Sequence, residues 1–361
     1  KGVMAQNDEE MADADIAALT IPDKIRGDLE LAQTGSIFAS EIVWKSSDSA
    51  LIAPDGSVCG ADADKAVTLT ATVTKGSVTL EKSFTCMVLK NAGGTVLADE
   101  DFEYENESGT AIGGIGGWTM PAADDITATL AAESEGKSGK ALYIKRTAAV
   151  NSALASKTIP AADGRIVAQM RVWANDGGKN GMLYNIDFLT ANGTAIETAA
   201  GYADTRRVTN GSGTKGLWKT MPSLGAWHTY KYVIENGKYD IYIDDVKQND
   251  ESLAVKTDSG AICGIRFGVS KWGKADALPA EMYVDDIIIR ALGAKSILRE
   301  AAAGVSIPEY TDGDLTLPTD ISGVGVVWSS DDESVIAADG SIHAAGEEDK
   351  NVTLTAVYTY G

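Results

Sequence analysis

The sequence predicts an all-β protein built from three consecutive sandwich domains. Three observations support this: its length and glycine content, a set of motifs that occurs near both ends, and a long hairpin pattern between them. A chain of 361 residues is longer than one sandwich needs and favours two or three domains. Its 38 glycines, set among short Thr, Val and Ile stretches, are typical of short strands joined by tight turns.

The charge balance excludes one class of partner. The chain has 52 acidic against 31 basic residues, a formal net charge of −21. A nucleic-acid-binding protein needs a basic footprint, so we expect no nucleic-acid partner. The acidity also disfavours an anionic membrane surface. No stretch approaches the ~18 consecutive apolar residues of a membrane span, so we expect no membrane insertion.

Cysteine and histidine are scarce. The cysteines are Cys59, Cys86 and Cys263, and this odd, widely spaced set with no CxxC is not a disulfide framework. A Cys59–Cys86 bridge and two buried free thiols both stay open. Two histidines, His228 and His343, are too few for a histidine-based metal site.

An internal repeat brackets the middle of the chain. The strongest matched segments are Val43–Asp48 with Val327–Asp331, Ile52–Val58 with Ile336–Ile342, and Asp64–Ala71 with Asp349–Ala356. Each unit alternates short strands with Asp-Gly, Gly-Asp or Ser-Ser-Asp turns, which is typical of sandwiches. We expect Trp44 and Trp328, at equivalent places, to lie in the two cores.

Both units open with an Ala- and Glu-rich stretch, Glu9–Leu19 and Lys295–Gly304. Each fits a short helix that starts the domain. The second unit reaches Gly361 where the last strand of the first unit would begin, so we expect further domains of the same polypeptide.

The repeated motif W-x-S-S-D…VI-x-x-D-G-x-[VI]…V-x-L-T-A resembles bacterial immunoglobulin-like domains of the atrophied kind. The resemblance covers about residues 8–90 and 294–361 and implies domains at 1–92 and 294–361, the second truncated. Such domains occur along secreted polysaccharide-degrading enzymes and surface proteins, which implies an extracellular location, secreted or attached to the cell surface.

The segment Ala226–Val246 predicts the central hairpin of the middle domain, residues 93–293. Alternating residues flank Asn236-Gly237, and an Asn-Gly turn between alternating strands is the strongest short-range hairpin signal. Each strand carries aromatic or β-branched residues on both faces. Such strands suit positions where both faces meet something apolar or a ligand.

Three segments of this domain resemble concanavalin A-like (laminin G-like) jelly rolls, many of which are carbohydrate-binding modules. They are the Trp-His-x-Tyr hairpin, the opening Asp99–Glu103, and the closing Tyr283–Arg290. The resemblance implies that the first and last strands lie side by side. It also implies a structural calcium ion held by Glu103 and Asp286, with Asp101 and Asp285 as further ligands. The alternative is that these carboxylates are solvated residues at the edge of a sheet.

A sugar platform needs flat aromatic faces together with planar polar groups. The polar segment Gly201–Met221 is a long loop, and long loops on compact β domains are usually functional or mobile. The predicted sugar-binding residues are those of this loop and of two shorter ones: Tyr202, Arg206, Arg207, Asn210, Trp218, Trp272 and Trp118. The alternative is that these tryptophans cap the core. Trp173 and Trp227 are expected in the core, and the basic residues of the loop would suit an acidic sugar.

The sequence gives no catalytic signature. A laminarinase-type hydrolase needs paired glutamates on one strand, but the nearest match, Asn185–Thr190, has none. No G-x-S-x-G, H-E-x-x-H or Walker motif occurs.

The predicted function is a non-catalytic carbohydrate-binding and spacer region of a bacterial polysaccharide-degrading protein, with a polysaccharide or glycan as partner. The alternative is a structural stalk or adhesin segment that binds no glycan.

Overall fold

The structure is a computed structural model. It describes residues 7–60, 63–121, 126–132, 139–146, 154–175, 182–200, 207–209, 215–217, 222–255, 260–271, 280–343 and 349–361. Strands make up 51% of the described residues, and only two short helices occur among them, which confirms the all-β prediction. The chain divides into two compact units, one formed by 1–95 with 292–361 and the other by 96–291.

The first repeat copy is a helix on a four-stranded sheet. Its elements are α1 (Asp8–Ala17), β1 (Lys24–Ile25), β2 (Glu41–Ser46), β3 (Lys65–Lys75) and β4 (Val78–Val88), with strand order β1-β4-β3-β2. Asn7 and Glu10 form a capping box at the start of α1, which satisfies backbone donors that the helix leaves free. Trp44 is buried with its indole N–H donating to Ala32 O at 2.8 Å.

A buried carboxylate fixes α1 to the body of the first copy. Asp15 is fully buried, and its carboxylate accepts hydrogen bonds from the backbone N–H groups of Ile37 at 2.8 Å, Phe38 at 3.0 Å and Ser40 at 3.0 Å. Burial alone raises the pKa of Asp15, but these hydrogen bonds lower it from 3.8 to about 2. The backbone N–H groups of the neighbouring turn therefore stabilise the buried charge of Asp15, and this contact holds α1 in place.

The second copy has a helix and a three-stranded sheet among its described residues. Its elements are α2 (Ala294–Ala303), β21 (Asp320–Ile321), β22 (Val324–Ser330) and β23 (Leu354–Thr359), with strand order β21-β22-β23. Trp328 is buried and donates to Pro318 O at 2.9 Å, as Trp44 does in the first copy. Both helices and both core tryptophans are therefore confirmed. At the position of Asp15 the second copy has Ala301, and the turn that Asp15 binds is two residues shorter there.

The central unit contains a large two-sheet sandwich. Its strands are β5 (Thr95–Glu100), β6 (Trp118–Thr119), β7 (Ile126–Ala132), β8 (Lys140–Arg146), β9 (Leu154–Ala162), β10 (Arg165–Asn175), β11 (Met182–Thr190), β12 (Gly193–Ala200), β13 (Arg207–Thr209), β14 (Lys215–Leu217), β15 (Trp227–Glu235), β16 (Lys238–Ile243), β17 (Val246–Lys247), β18 (Leu253–Ala254), β19 (Ile262–Lys271) and β20 (Ala280–Leu292).

The nine-stranded sheet of this unit has the order β17-β16-β15-β10-β20-β8-β7, with β18 paired to β16 and β5 paired to β20. The five-stranded sheet has the order β12-β11-β19-β9-β6. β13 and β14 form a separate pair.

Two sequence predictions for this unit are confirmed. β15 and β16 form the expected hairpin, and both turn residues have positive φ, 50° at Asn236 and 70° at Gly237. Such values are those of the type I′ turn that Asn-Gly favours. The first and last strands, β5 and β20, are paired. The finer jelly-roll connectivity stays a prediction.

The core of the sandwich lies between its two sheets. Alternate residues of β10 and β15, such as Met170 and Tyr232, are fully buried against Ile186, Phe188 and other residues of the five-stranded sheet. Because side chains alternate along a strand, the intervening residues of β8, β10, β15 and β20 lie on the opposite face of the nine-stranded sheet. We call this the outer face.

The three cysteines form no disulfide, and Cys59 and Cys86 are buried while Cys263 is partly exposed. Across the described ranges, no helix is both long and apolar enough to cross a bilayer.

Candidate functional site

The outer face carries a row of aromatic rings across four neighbouring strands. Tyr143 and Tyr283 stack with ring centroids 4.5 Å apart and an interplanar angle of 27°. Trp173 meets Tyr283 edge-on at 5.3 Å, and Trp227 lies 6.3 Å from the same ring. We call these four residues the aromatic row. With strands about 4.8 Å apart, the row extends for roughly 15 Å across the sheet.

Strand register builds this row. Tyr143 on β8 is directly opposite Tyr283 on β20, and Trp173 on β10 is directly opposite Trp227 on β15. β20 and β10 are neighbours in the sheet, so the two cross-strand pairs become one continuous set. Aromatic cross-strand pairs stabilise a sheet, but a row of this kind also offers flat apolar surfaces.

Arg171 connects the aromatic row to two carboxylates. Its guanidinium carbon lies 4.5 Å from the ring centroid of Trp227, a cation–π distance. Its Nη2 donates to Asp285 Oδ2 and its Nε to Asp286 Oδ2, both at 2.5 Å. The side chain is thus fixed by stacking and by a fork of charge-assisted hydrogen bonds.

A local irregularity in β20 places both carboxylates on Arg171. Met282 and Val284 point into the core, but so do Ile287 and Ile289, so the in–out alternation shifts by one residue between them. Asp286, at the shift, has φ 48°. An extra residue with left-handed backbone is the signature of a β-bulge, and bulges commonly lie beside functional sites because they redirect side chains.

The row has polar groups suited to hydroxyl-bearing ligands. The indole N–H of Trp173, a side chain only 7% exposed, has no hydrogen-bond partner among the described residues. At the Tyr143 end, the phenol donates to Glu281 at 2.9 Å and Lys145 lies 3.4 Å from the same carboxylate. Burial, and then the hydrogen bond to Glu281, raise the pKa of Tyr143, so its hydroxyl stays a donor at neutral pH.

The predicted loop platform falls almost wholly outside the described residues. Tyr202, Arg206, Asn210, Trp218 and Trp272 lie there. Arg207 begins β13, a strand whose backbone alone is described. Their role in sugar binding therefore stays a prediction.

The prediction for Trp118 is wrong. This side chain is fully buried, packs against Phe102 and Phe267 at centroid distances of 5.6 and 6.0 Å, and directs its indole N–H at Glu100, 3.4 Å away. Glu100 also binds Lys157 at 2.5 Å. Trp118 thus closes the core above a buried ion pair and presents no ring to a ligand.

The four carboxylates predicted to bind calcium are engaged elsewhere. Asp285 and Asp286 bind Arg171, Glu103 accepts a hydrogen bond from Lys140 N at 2.7 Å, and Asp101 accepts one from Glu103 N at 3.2 Å. No group of three or more potential metal ligands occurs in the part of the chain that the structure describes. Calcium needs several oxygens around one point, and this arrangement does not fit it.

A serine, a histidine and an aspartate also meet beside β15. His228 Nδ1 lies 2.7 Å from Asp244 Oδ2, and its Nε2 lies 3.0 Å from Ser223 Oγ. Nε2 is also 3.2 Å from Ser223 O. Asp244 Oδ1 accepts from Thr229 N at 2.9 Å, so the same carboxylate ties the end of β16 to β15. We interpret the cluster as a structural clasp of the strand end.

Asp187, in the stretch nearest to a hydrolase motif, is likewise occupied. It is 1% exposed and binds Arg266 Nε at 2.7 Å. The charge pair explains a buried carboxylate without invoking catalysis.

Sequence reasoning missed the aromatic row as a site, because Trp173 and Trp227 were assigned to the core. The signal was present in the hairpin, whose strands carry large residues on both faces. Trp173 is indeed nearly buried, but it lies on the outer face and outside the core that the two sheets share.

Comparison with known proteins supports part of this organisation. The model of the atrophied bacterial Ig domain family matches residues 11–91 and 298–361, which are the two repeat copies. No curated protein matches the chain.

Solved structures resemble parts of it. A sialidase matches at 16% identity and TM-score 0.41, over 68% of this chain and 22% of its own. Carbohydrate binding module CBM66 from Bacillus subtilis matches at 17% identity and TM-score 0.31, over 51% of this chain and 99% of its own. The CBM22-1 xylan-binding domain from Paenibacillus barcinonensis matches at 12% identity and TM-score 0.30, over 56% and 97%.

The chain spans only 21 to 25% of the first three matching structures. The TM-scores are low, so these matches carry no argument about function. What the matching proteins bind or cleave is a property of those proteins and is not transferred to this chain.

Proposed function

We propose that the central domain is a non-catalytic glycan-binding module and that the aromatic row is its binding surface. The two Ig-like copies act as spacers that present it. The observation that carries this proposal is the continuous set Tyr143, Tyr283, Trp173 and Trp227 across four strands. No other described surface of the domain combines stacked rings with fixed polar groups in this way.

Physical chemistry favours a sugar for this surface. A pyranose presents an apolar CH face that stacks on aromatic rings and hydroxyls that need planar donors and acceptors. The row supplies the rings. Arg171 and Glu281 supply polar groups already held in place by their ion pairs, which reduces the entropy lost on binding.

The order of the domains along the sequence supports a spacer role for the two Ig-like copies. A glycan-binding module attached to an enzyme raises the effective concentration of the enzyme at its substrate. We propose that the protein is a secreted or surface-attached bacterial protein that acts on, or adheres to, a polysaccharide. The segment itself performs no chemistry in this proposal.

Affinity electrophoresis in gels containing soluble polysaccharides tests the proposal. Trp227→Ala and Tyr283→Ala should abolish the retardation that the unaltered protein shows. Tyr310→Ala is the matched control, because Tyr310 is 83% exposed and belongs to the other compact unit. Trp218→Ala separates the row from the predicted loop platform.

The outcomes distinguish between the two candidate binding sites and between the two candidate functions. Loss of binding with Trp218→Ala but not with Trp227→Ala would move the site to the loop. The absence of retardation by any polysaccharide would favour the alternative, a structural stalk. Melting curves of each variant show whether a loss of binding reflects unfolding.

A further inference from the structure

The start helix of the second Ig-like copy docks on the first copy. Arg299 on α2 makes four hydrogen bonds there: Nη1 to Ser57 O at 2.6 Å and Ser57 Oγ at 2.7 Å, and Nη2 to Ser49 O at 2.8 Å and Ala50 O at 2.7 Å. One guanidinium thus donates hydrogen bonds to oxygen atoms of two adjacent turns. Its planar fork makes such multiple pairing possible.

Two further contacts surround this anchor. Lys295 Nζ lies 2.6 Å from Asp55 Oδ2, and Ser296 Oγ lies 3.2 Å from Asp28 Oδ2. The hydrogen bond from Lys295, followed by those from Ser57, holds the pKa of the Asp55 carboxyl well below its usual range. Ser296 is 1% exposed. We call Asp28, Ser49, Ala50, Asp55 and Ser57 the first docking surface.

Both aspartates of this surface divide their oxygens between two tasks. Asp55 Oδ1 accepts from Ser57 N at 3.1 Å, and Asp28 Oδ1 accepts from Val58 N at 2.7 Å. These bonds shape the turns. The other oxygen of each carboxylate faces α2. Hydrogen bonds within the first copy therefore shape the surface that α2 contacts.

The second copy builds the same surface from equivalent residues. They are Asp314, Glu333, Ser334, Asp339 and Ser341, which we call the second docking surface. Asp339 Oδ1 accepts from Ser341 N at 2.9 Å, and Asp314 Oδ1 accepts from Ile342 N at 2.8 Å. Among the described residues neither carboxylate has a hydrogen bond to a helix, whereas in the first copy both carboxylates bind α2.

Charge identifies what fits there. The second docking surface offers three carboxylates, including Glu333 where the first has Ser49. A helix with cations at the positions of Lys295 and Arg299 is complementary to it. α1 is not, because it carries Glu9 and Asp13 at those positions, both exposed. The two start helices of this chain thus have opposite charges at these two positions, and only α2 is complementary to an acidic surface.

We propose that the second docking surface binds the start helix of another Ig-like module of this kind, one with the Lys-Ser-x-x-Arg pattern of Lys295–Arg299. The contact between the two copies is then a repeatable joint between modules. This inference does not depend on glycan binding by the central domain.

Zero-length cross-linking tests the proposal with the full chain. The probe is a peptide of residues 293–305 whose helix is held by a hydrocarbon staple joining positions 294 and 298, opposite Arg299. A water-soluble carbodiimide joins an amine to a carboxylate already in contact with it. We expect the peptide's Lys295 to couple to Asp339, as identified by peptide mass spectrometry.

A peptide of identical composition with Arg299 and Ala301 exchanged is the matched control. It moves the guanidinium to the other side of the helix, and the yield at Asp339 should fall about tenfold, as expected for lost charge-assisted hydrogen bonds. The Asp339→Asn chain should lose the product while its fold, shaped by the same acceptor oxygen, is retained.

A positive control makes failure informative. In the chain with Lys295→Ala and Arg299→Ala, the first docking surface loses the two cations that occupy it, and the peptide, which carries both, should then label Asp55. Labelling of Asp55 without Asp339 would overturn the proposal. Equal labelling by the original and exchanged peptides would do so too, as would no labelling of either aspartate.

Discussion

Arg171 lies over Trp227 with its guanidinium carbon 4.5 Å from the ring centroid, while the same guanidinium binds Asp285 and Asp286. One side chain therefore connects the aromatic row to the carboxylates beside it. The Arg171 guanidinium holds the Trp227 ring by stacking, and it holds the bulge of β20 through its hydrogen bonds to the two aspartates.

Arg171→Lys should destabilise the central domain by about 1–3 kcal/mol despite keeping the charge, because an ammonium cannot form the planar fork. Urea unfolding followed by tryptophan fluorescence measures this. Asp285→Asn should cost more than Asp286→Asn, since the Asp285 side chain is 7% exposed and that of Asp286 56%. Equal stability of all three variants and the unaltered chain would contradict the role assigned to Arg171.

Trp118→Ala should lower the free energy of unfolding by about 3–5 kcal/mol, because removing a buried indole leaves a cavity in the core. The affinity for glycan should stay unchanged at temperatures where the variant is folded. A variant with normal stability and lost binding would restore the original prediction for this residue.

The stability of the first Ig-like copy should depend on Asp15 in acid. Its pKa is about 2 in the folded protein against 3.8 ordinarily, so the charged form is the one that folding favours. This contribution is fully present above about pH 4 and is lost as the pH falls towards 2. Asp15→Asn should remove about 2 kcal/mol at neutral pH and flatten this acid dependence. Asp13→Asn, on the exposed side of α1, should leave both unchanged.

Arg299→Ala should loosen the joint between the two copies. Losing four hydrogen bonds at a partly buried site should cost about 1–3 kcal/mol. The carbodiimide product between Lys295 and Asp55 should decrease within the same chain. Glu309→Ala, at an exposed position beyond α2, is the control, and an undiminished product would show that Arg299 does not hold the joint.

Chelation should leave the melting temperature unchanged. The carboxylates of Asp285 and Asp286 are both bound to Arg171, and those of Asp101 and Glu103 accept backbone hydrogen bonds. A fall in the melting midpoint with a chelator, reversed by added calcium, would show instead that the ion organises these residues by linkage.

Local patterns in the sequence predicted the elements well. Asn236-Gly237 between alternating strands located the central hairpin, and the repeated turn motifs placed Trp44 and Trp328 in their cores. These features depend on residues close together in the chain or on an exact internal repeat, and such signals do not need knowledge of the sheet order.

The site was harder to predict because it is made by strands far apart in sequence. Tyr143 and Tyr283 are opposite each other only because β8 pairs with β20, and no local pattern contains that register. The bulge at Asp286 likewise puts two adjacent aspartates on the same face of the sheet, against simple alternation. Trp118 follows two glycines and resembles a loop residue, yet its burial is decided by Phe102 and Phe267, which are distant along the chain.

The joint between the Ig-like copies has a consequence for the order of folding. Lys295 and Asp55 are 240 residues apart, and closing so long a stretch of disordered chain is slow and entropically costly. Once β5 has paired with β20, the intervening sequence no longer behaves as a free loop. The central sandwich should therefore fold first, and its folding should shorten the effective loop that separates the second copy from the first.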